Sequence, residues 1–362
     1  MATKGEVMQA LRTVMDPELN RSLVDLDMIR DVRVEGDRVR VEVALTIQGC
    51  PLHNTIQGDV SERVRSLPGV REVEVIMTSM TDEEREQLTG KLRGGQSSLS
   101  PILDPNSRTR VIGVASGKGG VGKSTVTANL AVALARQGYQ VGVLDADIYG
   151  FSIPRLLGLK GHPTVLDEHT ILPIEAHGVK AISMGMLVEE STPVIWRGPL
   201  LAKILDQFLE DVAWGDLDYL LVDLPPGTGD IALSFTQKLP KAQLILVTTP
   251  QAAAERVASR TATMAQKTNQ SVLGVIENMA YFVCPGCGTT HEIFGRGGGE
   301  RLAKEADTEL LGRVPLAGAV REAGDEGHPV AIGDDQDPTG QAFRDIARKV
   351  AERAPATMMA RR

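Results

Sequence analysis

The sequence predicts an α/β protein: a mostly parallel sheet with helices on both faces, preceded by a small α+β domain. Three observations predict it. From Val111 onward, short apolar runs (VIGVA, VGVLD, YLLVD, LILVT, LGVIE) alternate with helical segments, and continuous apolar strands are what a sheet covered on both faces requires. The first run leads straight into SGKGGVGKST, a glycine-rich loop that opens a helix. Before residue 90 the pattern differs, with apolar and polar residues alternating in VRVEGDRVRVEVALTI and REVEVIMTSM.

Taken in order, an opening helical stretch precedes VRVEGDRVRVEVALTI, whose alternation breaks at Gly36-Asp37 and predicts a hairpin. IQGDVSERVRSLPGV then predicts a helix and REVEVIMTSM another strand, which together make a small α+β domain over residues 1–92. Residues 93–108, RGGQSSLSPILDPNSR, are rich in Gly, Ser and Pro without periodicity and read as a linker. The larger domain covers residues 109–355, and residues 356–362 are a tail. In its first helix Val126, Leu130, Ala133 and Leu134 form one apolar stripe, with Gly138 just past the end.

A chain of 362 residues exceeds what one hydrophobic core usually organises, and 42% apolar with 24% charged residues suits a globular protein. A net charge of -8 argues against a surface built for nucleic acid phosphates. No run approaches the ~20 apolar residues of a membrane span, and the first residues lack a signal-peptide core. The expected location is cytoplasmic, with no nucleic acid or membrane partner. Three cysteines make no disulfide framework, which fits a reducing compartment.

Gly117, Gly122, Lys123 and Ser124 match G-x-x-x-x-G-K-[ST] between a strand and a helix, the context that a phosphate-gripping P-loop needs. Residues Gly117, Lys118, Gly119, Gly120, Val121, Gly122, Lys123, Ser124 and Thr125 therefore predict binding of ATP with Mg2+. Glycines let backbone N–H groups face the phosphates, Lys123 neutralises their charge, and the Ser124 hydroxyl ligates magnesium. Asp145 and Asp147 follow VGVLD, and Asp223 ends YLLVD, at the carboxyl strand ends where open parallel sheets build ligand sites. Asp223 is the candidate to hold magnesium through water, and Asp145 is a further candidate of the site, with a helix cap as its plainer alternative. Gly227 and Gly229 would let the next loop follow the γ-phosphate.

Lys118 is a second lysine inside the loop. KGGVGKST resembles the deviant Walker A of the MinD/ParA class of dimerising ATPases, and a solvated loop lysine is the plainer alternative. The resemblance implies a nucleotide-sandwich homodimer in which Lys118 reaches the partner's nucleotide, Asp147 orients the attacking water, and Asn278 in IENM recognises adenine. Without it, Asn278 is as well explained by a turn or cap.

Cys284 and Cys287 form a C-x-x-C in YFVCPGCGTTHEIFG, where Pro285, Gly286 and Gly288 permit a tight turn. Two thiolates fill half of a four-ligand site, and no second C-x-x-C occurs in the chain. A two-fold axis could bring one pair from each subunit around one cluster. Zinc satisfies the same geometry, and His291 offers a three-ligand zinc site within one chain.

The runs SGKGGVGKST, LDADIYG, VIWRGPL, LDYLLVDLPPGTGD and IENMAYFVCPGCG closely resemble the Mrp/ApbC family of iron-sulfur cluster carrier ATPases, over residues 109–350. MDPELN and GCPLHN resemble the small iron-sulfur-maturation domain that often precedes it. The resemblance implies a P-loop NTPase sheet and slow ATP hydrolysis. It also implies a labile cluster of 4Fe-4S type at the homodimer interface, taken from a cluster-assembly scaffold and passed to apo iron-sulfur proteins. Phe151 departs from the family's usual Pro, which predicts altered packing of its loop with nucleotide chemistry kept. Cys50, followed by Pro51, is a candidate transient thiol ligand, with a buried inert cysteine the alternative. A membrane- or DNA-positioning ATPase is disfavoured by the acidity and by a tail, VAERAPATMMARR, too short for an amphipathic anchor. A zinc-bound metal-delivery NTPase is the remaining rival.

Overall fold

The computed structural model describes residues 2–17, 21–45, 53–81, 83–84, 87–88, 102–104, 107–148, 150–167, 170–186, 198–268, 270–333 and 337–356. Cys50, most of the expected linker, Trp196-Arg197 and residues 357–362 lie outside these. The chain divides into two compact units, Met1–Ser97 with Thr164–Leu172, and Ser98–Pro163 with Pro173–Arg362.

In the first unit helix α1 (Lys4–Leu11) starts from a capping box, Thr3 accepting from Glu6 N while the Glu6 carboxylate accepts from Thr3 N. Strands β1 (Ile29–Glu35) and β2 (Arg38–Leu45) pair antiparallel across the expected hairpin, and Gly36 takes φ 67°, open to glycine at the first position of a two-residue loop. Helix α2 (His53–Arg65) then carries the chain across to β3 (Glu72–Ser79), which lies parallel to β2. Val39, Val41 and Val43 meet Val7 and Leu11 of α1 and Ile56, Val60 and Val64 of α2 in one core.

The second unit is built on an eight-stranded sheet. Its strands are β4 (Arg110–Ser116), β5 (Val141–Asp145), β6 (Ile174–Ala176), β7 (Val179–Ser183), β8 (Tyr219–Asp223), β9 (Gln243–Thr248), β10 (Ser271–Glu277) and, after a short hairpin of β11 (Phe282–Val283) and β12 (Thr290–His291), β13 (Leu310–Arg313). The spatial order is β6-β7-β5-β8-β4-β9-β10-β13, parallel except for β6. The expected mostly parallel sheet is therefore present, and all five apolar runs are among its strands. β4 sits where successive strands depart in both directions, so its loop opens at the switch point where such sheets bind ligands.

Helix α3 (Lys123–Arg136) differs from its one-stripe expectation. Residues 126–134 are all buried, because the sheet covers one side and the helix Pro338–Arg353 packs on the other. Alanines at 128, 131 and 133 let that third layer come close. Gly138, φ 94°, ends the helix as expected, its N–H reaching Ala135 O at 2.9 Å. No helix among the described residues is long and apolar enough to cross a membrane.

Gly142 in β5 lies under Trp214: a Cβ there would stand 2.6 Å from Leu217 and 3.0 Å from both Leu220 and Trp214. Gly142→Ala is thus expected to cost about 1–3 kcal/mol by overpacking, seen in urea unfolding as a lower midpoint with an unchanged slope.

Candidate functional site

The sheet register sets Asp145 and Asp223 opposite each other at neighbouring strand ends, with Ser183 beside Asp145. Beyond these strand ends, around the loop after β4, the chain leaves a cavity of about 670 Å³. Lys118 through Thr125 line it, with Asp147, Pro225, Pro226 and Asp230 opposite. Gly120 and Gly122 take φ 80° and 79°, left-handed values that turn the loop backbone. Gly122 is also the N-cap of α3 and supplies no side-chain hydrogen bond, so the first N–H groups and the positive end of that helix are open to an anion. Gly117 falls between the lining residues Ser116 and Lys118 without lining the cavity itself.

Asp223 has no exposed surface. It accepts hydrogen bonds from Ser124 Oγ at 2.5 Å and Thr127 Oγ1 at 2.7 Å, and pairs with Lys123 Nζ at 2.7 Å. Lys123 also stands 3.7 Å from Asp147. The lysine of the P-loop motif is thus held by two carboxylates, with which an anionic phosphate in the cavity would compete. Burial raises the pKa of Asp147, the Lys123 charge opposing the shift.

Asp145 braces the following loop. Its carboxylate accepts from Asp147 N at 3.2 Å, Ile153 N at 3.3 Å and Ser183 Oγ at 3.0 Å, and it is not among the residues lining the cavity. Burial, reinforced by the Asp223 charge, pushes its pKa up to about 7. Phe151, 39% exposed, lays its ring against Gly185, where no Cβ would fit. Gly227, φ 91°, donates to Ser116 O at 2.8 Å, and Gly229 is the N-cap of the helix Asp230–Lys238.

Lys118 Nζ donates to Gln251 Oε1 at 3.3 Å. Asn278 lies behind the loop rather than in the lining: its N–H reaches Thr248 O, its Nδ2 donates to Val121 O at 2.9 Å, and it occupies the space a Cβ on Gly122 would need. Thr127 and Gln251 escaped the sequence reading. Thr127 left a signal, a hydroxyl four residues after Lys123 in an otherwise apolar helix face. Gln251, far along the chain, left none.

Cys284 and Cys287 sit at the tip of the β11–β12 hairpin. Gly288 N donates to Cys284 O at 2.8 Å and Cys284 N to Thr289 O at 2.9 Å, closing the turn with Gly288 at φ 72°. Cys284 is half-buried and Cys287 exposed. Hydrogen bonds from the Thr289 side chain and backbone lower the pKa of Cys287, favouring the thiolate that ligates metals. Val283 and Ile293 are exposed on either side. Among the described residues no three His, Cys, Asp or Glu side chains converge as a metal site.

Because Asp145 keeps its proton in the fold up to about pH 7 while the unfolded chain releases it near 3.8, the unfolded state binds fewer protons between these values. Stability therefore falls as pH rises through that window. Asp145→Asn is expected to flatten this fall, by on the order of a few kcal/mol at the upper end, in urea unfolding of nucleotide-free protein across the pH range.

Comparison with known proteins adds to this geometry. An iron-sulfur cluster assembly protein model matches residues 4–75. An iron-sulfur cluster carrier protein of Mycobacterium leprae is 47% identical over 97% of this chain and 93% of its own length, and one of Synechocystis is 44% identical over 97% and 98%. A nucleotide-binding protein of Archaeoglobus fulgidus, solved in complex with ADP, shares 42% identity over 62% of this chain and 89% of its own, at TM-score 0.55. The septum site-determining protein MinD of Pyrococcus horikoshii, complexed with Mg-ADP, shares 25% over 68% and 98%, at TM-score 0.51. Since the model described as NUBPL iron-transfer P-loop NTPase matches residues 107–351, and these relatives align over nearly the whole chain, the protein belongs to that family.

Proposed function

We propose that the protein is an iron-sulfur cluster carrier that holds a labile 4Fe-4S cluster between two copies of itself and passes it to apo iron-sulfur proteins under control of ATP. The observation that carries this reading is the Cys284–Cys287 tip, the first thiol half-buried and the second exposed, with no third ligand among the described residues, on a hairpin that directly follows a strand of the nucleotide-binding sheet. Two thiolates per chain leave two cluster positions for a second chain, and exposure lets the cluster be handed on. The names of the Mycobacterium leprae and Synechocystis relatives support the same cargo.

ATP binding is supported by the uncapped α3 terminus and by the ADP-bound relative. Ser124 and Asp223 offer hard oxygen donors in mutual contact, which fit Mg2+, Asp223 acting through water. The ion would offset β/γ-phosphate charge; Lys123 would bind the phosphates, Asp147 orient water for slow hydrolysis, and Lys118 leave Gln251 to reach the partner's nucleotide. Asn278 would meet adenine, and Cys50 would act as a transient thiol in an accessory domain of residues 1–92, joined by residues 93–108. The cytosol keeps these thiols reduced and supplies both the assembly scaffold and the recipients.

The expected result of anaerobic reconstitution is iron and sulfide bound by the wild type and absent from both Cys284→Ala and Cys287→Ala, with ATP affinity kept. Unchanged iron in the mutants, or zinc alone in the wild type, contradicts the reading.

A further inference from the structure

A chain of polar contacts runs from behind the P-loop to the cysteine hairpin. Glu277, 1% exposed, ends β10 next to Asn278, whose amide holds Val121 O. One Glu277 oxygen accepts from Gly299 N at 2.8 Å, and the other from Arg313 Nε at 2.9 Å. Arg313 also lies 5.9 Å from the Tyr281 ring centre, the residue before β11, and its Nη2 is 3.9 Å from Glu292, the residue after β12. A single guanidinium thus hydrogen-bonds the strand end and faces both feet of the hairpin.

The arrangement leaves a choice open. Both Glu292 oxygens are taken by Arg296 Nε, at 2.6 and 2.8 Å, although Arg296 is 76% exposed. The buried Nη2 of Arg313 finds no hydrogen-bond acceptor among the described residues. A buried donor left unmade costs free energy, whereas an exposed ion pair contributes little. A shift of Glu292 by roughly one ångström would bring it within hydrogen-bond distance of Arg313. Hydrogen-bonded to Arg296, the second foot is held within its own loop, with Arg313 only at ion-pair range; hydrogen-bonded to Arg313, it is tied through Glu277 to the P-loop.

We propose that Arg313 is a positioning residue that couples the nucleotide loop to the cysteine hairpin, with Glu292 as the carboxylate that exchanges Arg296 for Arg313. This rests on the cluster proposed at Cys284 and Cys287. The test compares the affinity of full-length protein for a slowly hydrolysed ATP analogue with magnesium, before and after anaerobic cluster reconstitution. The wild-type ratio is expected within the ~5- to 150-fold span of allosteric couplings, and Arg313→Gln is expected to bring it to within about twofold of one. Iron and sulfide loading should persist in that variant, and Arg313→Lys should recover part of the ratio. A purely structural role would shift both affinities together and leave the ratio intact. Should Arg313→Gln fail to fold, Glu292→Gln, at the accessible end, carries the same expectation. A wild-type ratio retained in the folded variant overturns this inference alone. A wild-type ratio of one overturns ATP control of the cluster and this inference with it.

Discussion

Lys123 and Asp223 form a buried ion pair at the carboxyl end of the sheet, and the arrangement of the nucleotide site follows from it. Removing two charges from water is costly unless other groups complete their hydrogen bonding. Asp223 meets that need with Ser124 and Thr127, one helical turn apart along α3. The same contacts pin the first turn of the helix against β8. The buried pair therefore sets the shape of the cavity and leaves its uncapped helix end facing inward. Asp145, on the neighbouring strand, bears the consequence: the Asp223 charge adds to its desolvation and keeps it protonated toward neutral pH.

The cysteine hairpin is built on a different principle. Its strands are two residues each, and its turn is closed by backbone hydrogen bonds around Gly288. Little apolar surface fixes it, and Val283 and Ile293 stay exposed. Such a device has its thiols available at the surface and takes its orientation from its feet, where Tyr281 and Glu292 meet Arg313.

Much of this was legible in the residues. Five of the eight strands of the large sheet stood out as short apolar runs because they are buried on both faces, and the P-loop because glycine spacing there answers a backbone requirement. The Gly36-Asp37 hairpin followed from alternation. What stayed hidden depended on tertiary neighbours. Burial all round α3 reflects a third layer contributed by a helix more than two hundred residues later, and the parallel pairing of β2 with β3 depends on how α2 crosses. Gln251, Glu277 and Arg313 are ordinary polar residues by sequence, given meaning only by the partners that the sheet brings to them. Asn278 was visible by its place after β10, but its hydrogen bond to Val121 O was not.

On this reading one cluster is shared by two chains through Cys284 and Cys287. Native mass measurement of the anaerobically reconstituted protein tests it most directly. The expected species has two chains carrying four iron and four sulfide, and it falls apart into metal-free single chains when the cluster is chelated. A full cluster on a single chain would contradict it, as would a two-chain species whose metal content is unchanged in the Cys287→Ala variant.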